Sequence, residues 1–204
     1  MRKILFLLIT MASFTTLHAQ SVGEMFVSIP DSLFPYMVPQ QRTEILKLKS
    51  IDPTEPAIGH TIFQTEVKLS LLSENILKME LSPSITMELG RLSTDTDSVF
   101  CLIKTVSAPE KISVGYIYNK EWKKIEELNL AAYTLTAKPD TMSLERYEEL
   151  IKMIEFPMVE AHFGETPEEL TITLNAPMLS AEDKKSLKAI LLQTKAKWNN
   201  KTFK

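Results

Sequence analysis

Leu77-Lys-Met-Glu-Leu-Ser-Pro-Ser-Ile-Thr-Met-Glu-Leu89 decides the fold. Apolar and polar residues alternate on both sides of Ser82-Pro83-Ser84, the period-two pattern of two half-buried strands joined by a turn. Folding the stretch at Pro83 sets Leu81 opposite Ile85, Met79 opposite Met87 and Leu77 opposite Leu89, all on one face. The other face then brings Lys78 opposite Glu88, an opposite-charge cross-strand pair. A slip of one residue would send the apolar set to the wrong face, so both faces select one register. The turn itself carries no glycine or asparagine to supply a left-handed residue.

The same period extends outward. Val67, Leu69 and Leu71 alternate with Lys68 and Ser70 upstream. Downstream, a turn at Ser93-Thr-Asp-Thr-Asp97 pivoted on Asp95 sets Cys101 opposite Leu89 and Ile103 opposite Met87. A further hairpin over Ile112–Ile125, turning at Asn119-Lys120, sets Val114 against Ile125 and Tyr116 against Lys123. It places Ile117 against Trp122 on the opposite face. Residues 61–126 therefore read as an antiparallel meander of five or six strands.

Helical signals flank the meander. Residues 25–50 read as helical in pieces: Asp31 and Ser32 offer a cap, while Pro35 and Pro39 forbid one long helix. A second piece starts at Pro39 and runs through Ile45, Leu46 and Leu48 to the break at Asp52-Pro-Thr-Glu-Pro56. Ser143 caps a helix over 143–155, with Leu144, Tyr147, Leu150, Ile151 and Ile154 at helical spacing and Pro157 as its stop. Residues 157–198 read as strand, strand, helix, strand: Met158–Phe163, Leu170–Asn175, a helix capped by Ser180 with Asp183, and Gln193–Trp198. The expected fold class is α+β, a single domain over 20–204. It is an antiparallel meander sheet of about five to seven strands with helices packed against one face.

The first residues give an address. Arg2 and Lys3 precede an apolar run from Ile4 to Phe14, and Leu17-His-Ala19 precedes Gln20. This is the layout of a secretory signal peptide over 1–19, cut between Ala19 and Gln20. Leu17 is large for its place before the cut, so the bond itself stays open. The run is shorter than the roughly 20 apolar residues of a membrane span. No anchor is expected after cleavage, and the expected location is the periplasm or the cell exterior.

Cleavage removes two cations and no acid, leaving 21 basic against 26 acidic residues, a net charge of −5. A mildly acidic surface argues against nucleic-acid binding, which rests on clustered Lys and Arg. Cys101 is the one cysteine, so no internal disulfide forms and stability rests on burial. Its setting, Ser98-Val-Phe-Cys-Leu-Ile-Lys104, reads as mid-strand, where burial makes a thiol inert.

Two longer stretches resemble a family of exported proteins of unknown function found in gut Bacteroidales. They are Met25-Phe-Val-Ser-Ile-Pro-Asp-Ser-Leu-Phe-Pro35 and Asp97-Ser-Val-Phe-Cys-Leu-Ile-Lys-Thr-Val-Ser-Ala-Pro109. Trp122 and Trp198 match as well, and Ala19-Gln20 is similar to signal-peptide ends in that phylum. The resemblance implies an envelope address and supplies no catalytic residue.

Candidate chemistry is sparse. His60, Glu160 and His162 are the weak candidates for a metal site, with Glu160 and His162 on one strand face, but their spacing lacks the close ligand pair of a zinc site. Asp95-Thr-Asp-Ser98 begins like a calcium loop and lacks its glycine and distal glutamate; a hairpin turn is the better reading. No Gly-x-Ser-x-Gly elbow occurs, and five glycines leave no phosphate-cradling loop. Ile117 and Trp122, if uncovered, form an apolar contact patch; cover by the 143–155 helix is the competing expectation. No cofactor is expected. The expected function is a non-catalytic module that binds an unidentified protein or small ligand. The alternatives are a periplasmic hydrolase using a Glu/Asp pair and a metal-dependent role through His60, Glu160 and His162.

Overall fold

A computed structural model describes residues 20–107, 109–176 and 179–204. Residues 1–19, the expected signal peptide, lie outside the described residues. Two short helices open the chain, α1 (Val22–Ser28) and α2 (Pro39–Ile51). Seven strands follow: β1 (Ala57–His60), β2 (Glu66–Leu72), β3 (Ile76–Ser82), β4 (Ile85–Ser93), β5 (Ser98–Ser107), β6 (Lys111–Tyr118) and β7 (Lys124–Glu127). They pair in chain order as one antiparallel meander. After α3 (Leu144–Lys152) come β8 (Met158–Phe163), β9 (Glu169–Asn175), α4 (Ala181–Leu187) and β10 (Gln193–Lys197). These three strands form a second antiparallel sheet in the order β10-β9-β8. The fold is α+β, as expected.

α1 and α2 cover one face of the large sheet. α1 starts on a capping box: the Ser21 hydroxyl accepts from Glu24 N–H at 3.2 Å, and the Glu24 carboxylate accepts from Ser21 N–H at 2.8 Å. Asp31 and Ser32, expected to cap, stand instead in a non-helical turn. Pro39 opens α2, where its missing N–H costs nothing. Phe26, Phe34, Met37 and Ile45 bury themselves against Leu69, Leu77, Met79, Met87, Leu89 and Leu102. Arg42 is fully buried among them. Its guanidinium donates to the carbonyls of Val27 (3.1 Å), Ile29, Phe34 (3.1 Å) and Met37 (2.8 Å) and to Asp31 at 2.9 Å.

The small sheet covers the other face, a layer the sequence reading did not place. Ala161, Phe163, Leu170, Ile172 and Ala196 pack on Ile76, Leu92, Cys101, Ile103 and Ile117. Phe163 approaches so closely that a Cβ on Gly90 would lie 2.7 Å from its ring; glycine in a strand marks such an approach. β8 is an edge strand, and side chains of the large sheet occupy its free edge. Ser113 accepts from Ala161 N–H at 2.9 Å and donates to its carbonyl at 3.2 Å. Glu88 accepts from Phe163 N–H at 2.9 Å, and Lys78 donates to the Phe163 carbonyl at 2.8 Å. The Lys78–Glu88 pair, 3.2 Å apart, thus serves the layer contact as well as the hairpin. α3 and α4 pack together through Leu150 and Leu187, joined by Ile190 just past α4.

The deciding hairpin has the expected register at Leu77–Leu89, Lys78–Glu88 and Met79–Met87. At the turn a bulge pairs Ser82, not Leu81, with Ile85. The next hairpin departs by one residue: Leu89 pairs with Leu102, and Cys101 with Gly90. Cys101 and Ile103 therefore face the small sheet and not the helices. The β6–β7 loop is also longer than expected, so Ile117 pairs with Glu126 and Tyr116 with Glu127.

Candidate functional site

The expected apolar patch is not on the surface. Trp122 is the fourth residue of the five-residue loop 119–123 and is left-handed, φ 59°. Asn119 Oδ1 fixes the loop by accepting from Glu121 and Lys123 N–H. The indole then turns onto the helical face, beside Tyr118, and donates to Ser28 Oγ at 3.1 Å. Ile117 is buried on the opposite face, beneath the small sheet. Both are covered, but the cover over Trp122 is α1, where the 143–155 helix was expected. The five-residue loop is the reason: a two-residue turn would have left both on one face.

The metal candidates are not gathered. His60 ends the edge strand β1 and is exposed. Glu160 and His162 do share the outer face of β8, but Glu160 pairs with Lys111 at 2.9 Å. Among the described residues no group of three His, Cys, Asp or Glu side chains stands close enough to hold a metal ion. Ala19 lies outside the described residues, and Gln20 is the first within them. Cys101 is fully buried, and burial, then the nearby Glu88 charge, push its thiol pKa far above the ordinary value. It is no nucleophile.

A polar surface lies on the outside of the small sheet. Leu170, Ile172 and Leu174 of β9 point inward, so strand alternation turns Thr171 and Thr173 outward, where neighbouring side chains leave Thr171 5% exposed. Pairing builds two rows: Glu160–Thr173–Gln193 and His162–Thr171–Lys195. The second row floors an open depression of about 600 Å³, which Glu165, Glu169 and Gln193 also line. Lys195 Nζ lies 2.6 Å from Glu169 Oε1. The hydrogen bond and charge of Lys195 hold the Glu169 carboxyl below its usual range, and Glu169 in turn raises the Lys195 pKa. Gly164 lets the Glu169 side chain fold across the β8–β9 turn; a Cβ there would stand 3.2 Å from its Oε1.

The surface offers an imidazole, hydroxyls, a carboxamide and a paired ammonium and carboxylate on a rigid support. That inventory binds polar groups through hydrogen bonds. Lys195 drives Glu169 away from the protonated state that glycoside cleavage requires of its acid. Sequence reading picked out His162 and Glu160 here but missed Thr171, Glu169, Gln193 and Lys195. The alternation Leu170-Thr-Ile-Thr-Leu174 carried the signal for the polar face.

A family described as a protein of unknown function (DUF3256) matches residues 14–203. No curated protein matches the chain. Among solved structures, a domain of an uncharacterized protein from Porphyromonas gingivalis W83 matches with a TM-score of 0.70 and 19% identity. The match covers 91% of this chain and 98% of that one, and it shows a shared fold.

Proposed function

We propose that this chain, which belongs to the DUF3256 family of proteins of unknown function, is an exported envelope protein that acts as a non-catalytic binding module. Its contact surface is the polar outer face of the β8–β10 sheet. The observation that carries this reading is the pair of register rows, Glu160–Thr173–Gln193 and His162–Thr171–Lys195. They stand on a sheet locked to the core through its own edge. Hydrogen-bonding groups fixed on strands lose little freedom on binding. The openness of the depression suits an extended polar ligand or a protein surface better than an enclosed substrate.

Export rests on the basic start, apolar run and small residue at Ala19. No described helix is long and apolar enough to cross a membrane. A lone, buried cysteine also suits an oxidising compartment, since it offers no thiol for mispairing.

The test is a thermal-shift panel of sugars, amino acids and short peptides on the purified protein, repeated with His162→Ala and Lys195→Ala. A saturable rise in Tm that both variants lose supports the reading. Turnover of any panel member, abolished by a single polar substitution, replaces it with the hydrolase alternative.

A further inference from the structure

The cover given by α1 and α2 runs out before the large sheet does. Three cross-strand rows follow one another along the helical face: Leu89–Leu102–Tyr116, then Met87–Lys104–Val114, then Ile85–Val106–Ile112. The first row and Met87 pack under the helical layer. The last row is open: Val106 is 41% exposed and Ile112 39%, with Ile85 partly buried beside them. Val114, one row back, is 46% exposed. Branched aliphatic side chains on three neighbouring strands thus form one continuous apolar strip in solvent, and contiguous exposed apolar side chains mark a contact site.

A cation stands at the head of the strip. The strands of the large sheet carry five lysines, and four of them have a glutamate within 4.0 Å: Lys68 with Glu66, Lys78 with Glu88, Lys111 with Glu160 and Lys124 with Glu127. Lys104 is the exception. Among the described residues no carboxylate pairs with it. Its ammonium donates to the Leu33 carbonyl, a neutral group that engages one of three N–H bonds. The side chain is partly buried, and burial alone pulls its pKa below the ordinary value. A partly desolvated charge is costly until an opposite charge meets it.

We infer that this end of the sheet binds a free aliphatic carboxylic acid, its carboxylate on the Lys104 ammonium and its chain across Val114, Val106, Ile112 and Ile85. The two observations call for one molecule. A wholly apolar ligand would leave Lys104 unpaired, and a small polar acid would leave the strip wet. An amphiphilic anion meets both, with a charge-assisted hydrogen bond at its head and a dehydrated chain beyond. The site lies across the large sheet from the polar face of the β8–β10 sheet and does not depend on it.

Calorimetric titration of the purified protein with decanoate tests this, beside decylammonium, a chain of the same length under the opposite charge. Both are used below their micelle-forming concentrations. The expected result is saturable one-site binding of decanoate, ~10-fold or more tighter than decylammonium, with octanoate ~3-fold or more weaker than decanoate. Val114→Glu sets a carboxylate opposite Lys104 in the register and supplies from within the charge that the ligand brings, so it should abolish decanoate binding. The position is exposed, and a Tm no lower than the parent's certifies the fold. Lys104→Met keeps the strip and should lose the discrimination between the two heads. Absence of decanoate binding overturns the inference, as does equal binding of both heads by the unaltered protein, or binding indifferent to both substitutions. Binding to phosphatidylglycerol vesicles in place of the free acid overturns it in favour of a membrane surface.

Discussion

The two layers that sandwich the large sheet are held by different means. The helical layer is irregular chain wrapped round one buried cation: Arg42 collects the carbonyls of Val27, Ile29, Phe34 and Met37, groups that no helix or strand satisfies. The small sheet brings its own regular hydrogen bonds and leaves only its β8 edge in need, which Ser113, Glu88 and Lys78 fill. Irregular backbone is the costlier thing to bury, because every stray carbonyl must find a donor. The helical layer therefore depends on one residue, whereas the small sheet spreads the same task over three.

Arg42→Ala should break the comparison most sharply. It strands three buried carbonyls and a part-buried one and opens a void, at a cost of about 3–5 kcal/mol, read from the urea midpoint. Asp31→Ala, by contrast, should cost at most about 1 kcal/mol, since Asp31 is 75% exposed on its side-chain atoms and the carbonyls carry the guanidinium. Comparable losses in the two variants would show the pair, not the carbonyls, to be the anchor.

Gly90→Ala targets the other layer. Its methyl would meet the buried Phe163 ring and, at 2.8 Å, Pro167, so overpacking of about 1–3 kcal/mol is expected. Ser113→Ala leaves the Ala161 N–H without its acceptor and should cost about 1–3 kcal/mol. Hydrogen exchange should then quicken over β8 to β10 while α1 and α2 stay protected. Uniform quickening across both layers would mean that the sandwich opens only as a whole.

The smallest effect concerns the outer face. Lys195 depresses the Glu169 pKa, so their pairing stabilises the fold above the ordinary carboxylate range and is lost as pH falls through the lowered value. Lys195→Met should return the Glu169 carboxyl to its usual range in an NMR titration, with little change in Tm because the pair is solvent-exposed. An unmoved titration would mean that some other group holds the carboxylate.

Legibility in the sequence followed how many faces a strand buries. Leu77–Leu89 alternates cleanly, so its register was readable. Val99-Phe-Cys-Leu-Ile103 is apolar without a break because it is buried on both sides, and period two cannot then choose a face. A four-residue turn, Thr94–Asp97, closes that hairpin between Ser93 and Ser98, half a residue off the assumed pivot. The uninterrupted run was itself the clue that a second layer existed. α1 was legible too: Ser21-Val-Gly-Glu24 is a capping box ahead of Met25 and Phe26, overlooked in favour of Asp31-Ser32. The left-handed Trp122 was not legible, since nothing local favours that backbone in a bulky residue; packing under α1 and the Asn119 loop impose it. On the candidate site, sequence reached β8 alone, because the rows form only when β9 and β10 align beside it.

The indole of Trp122 is shut into the helical layer, while that of Trp198 rests half-exposed on Phe203 and donates to the Ser93 carbonyl beside the small sheet. The molecule therefore carries its own pair of optical reporters, one to a layer. Light emitted by each indole follows the polarity around it, so the colour of the fluorescence records which side of the sandwich lets water in first.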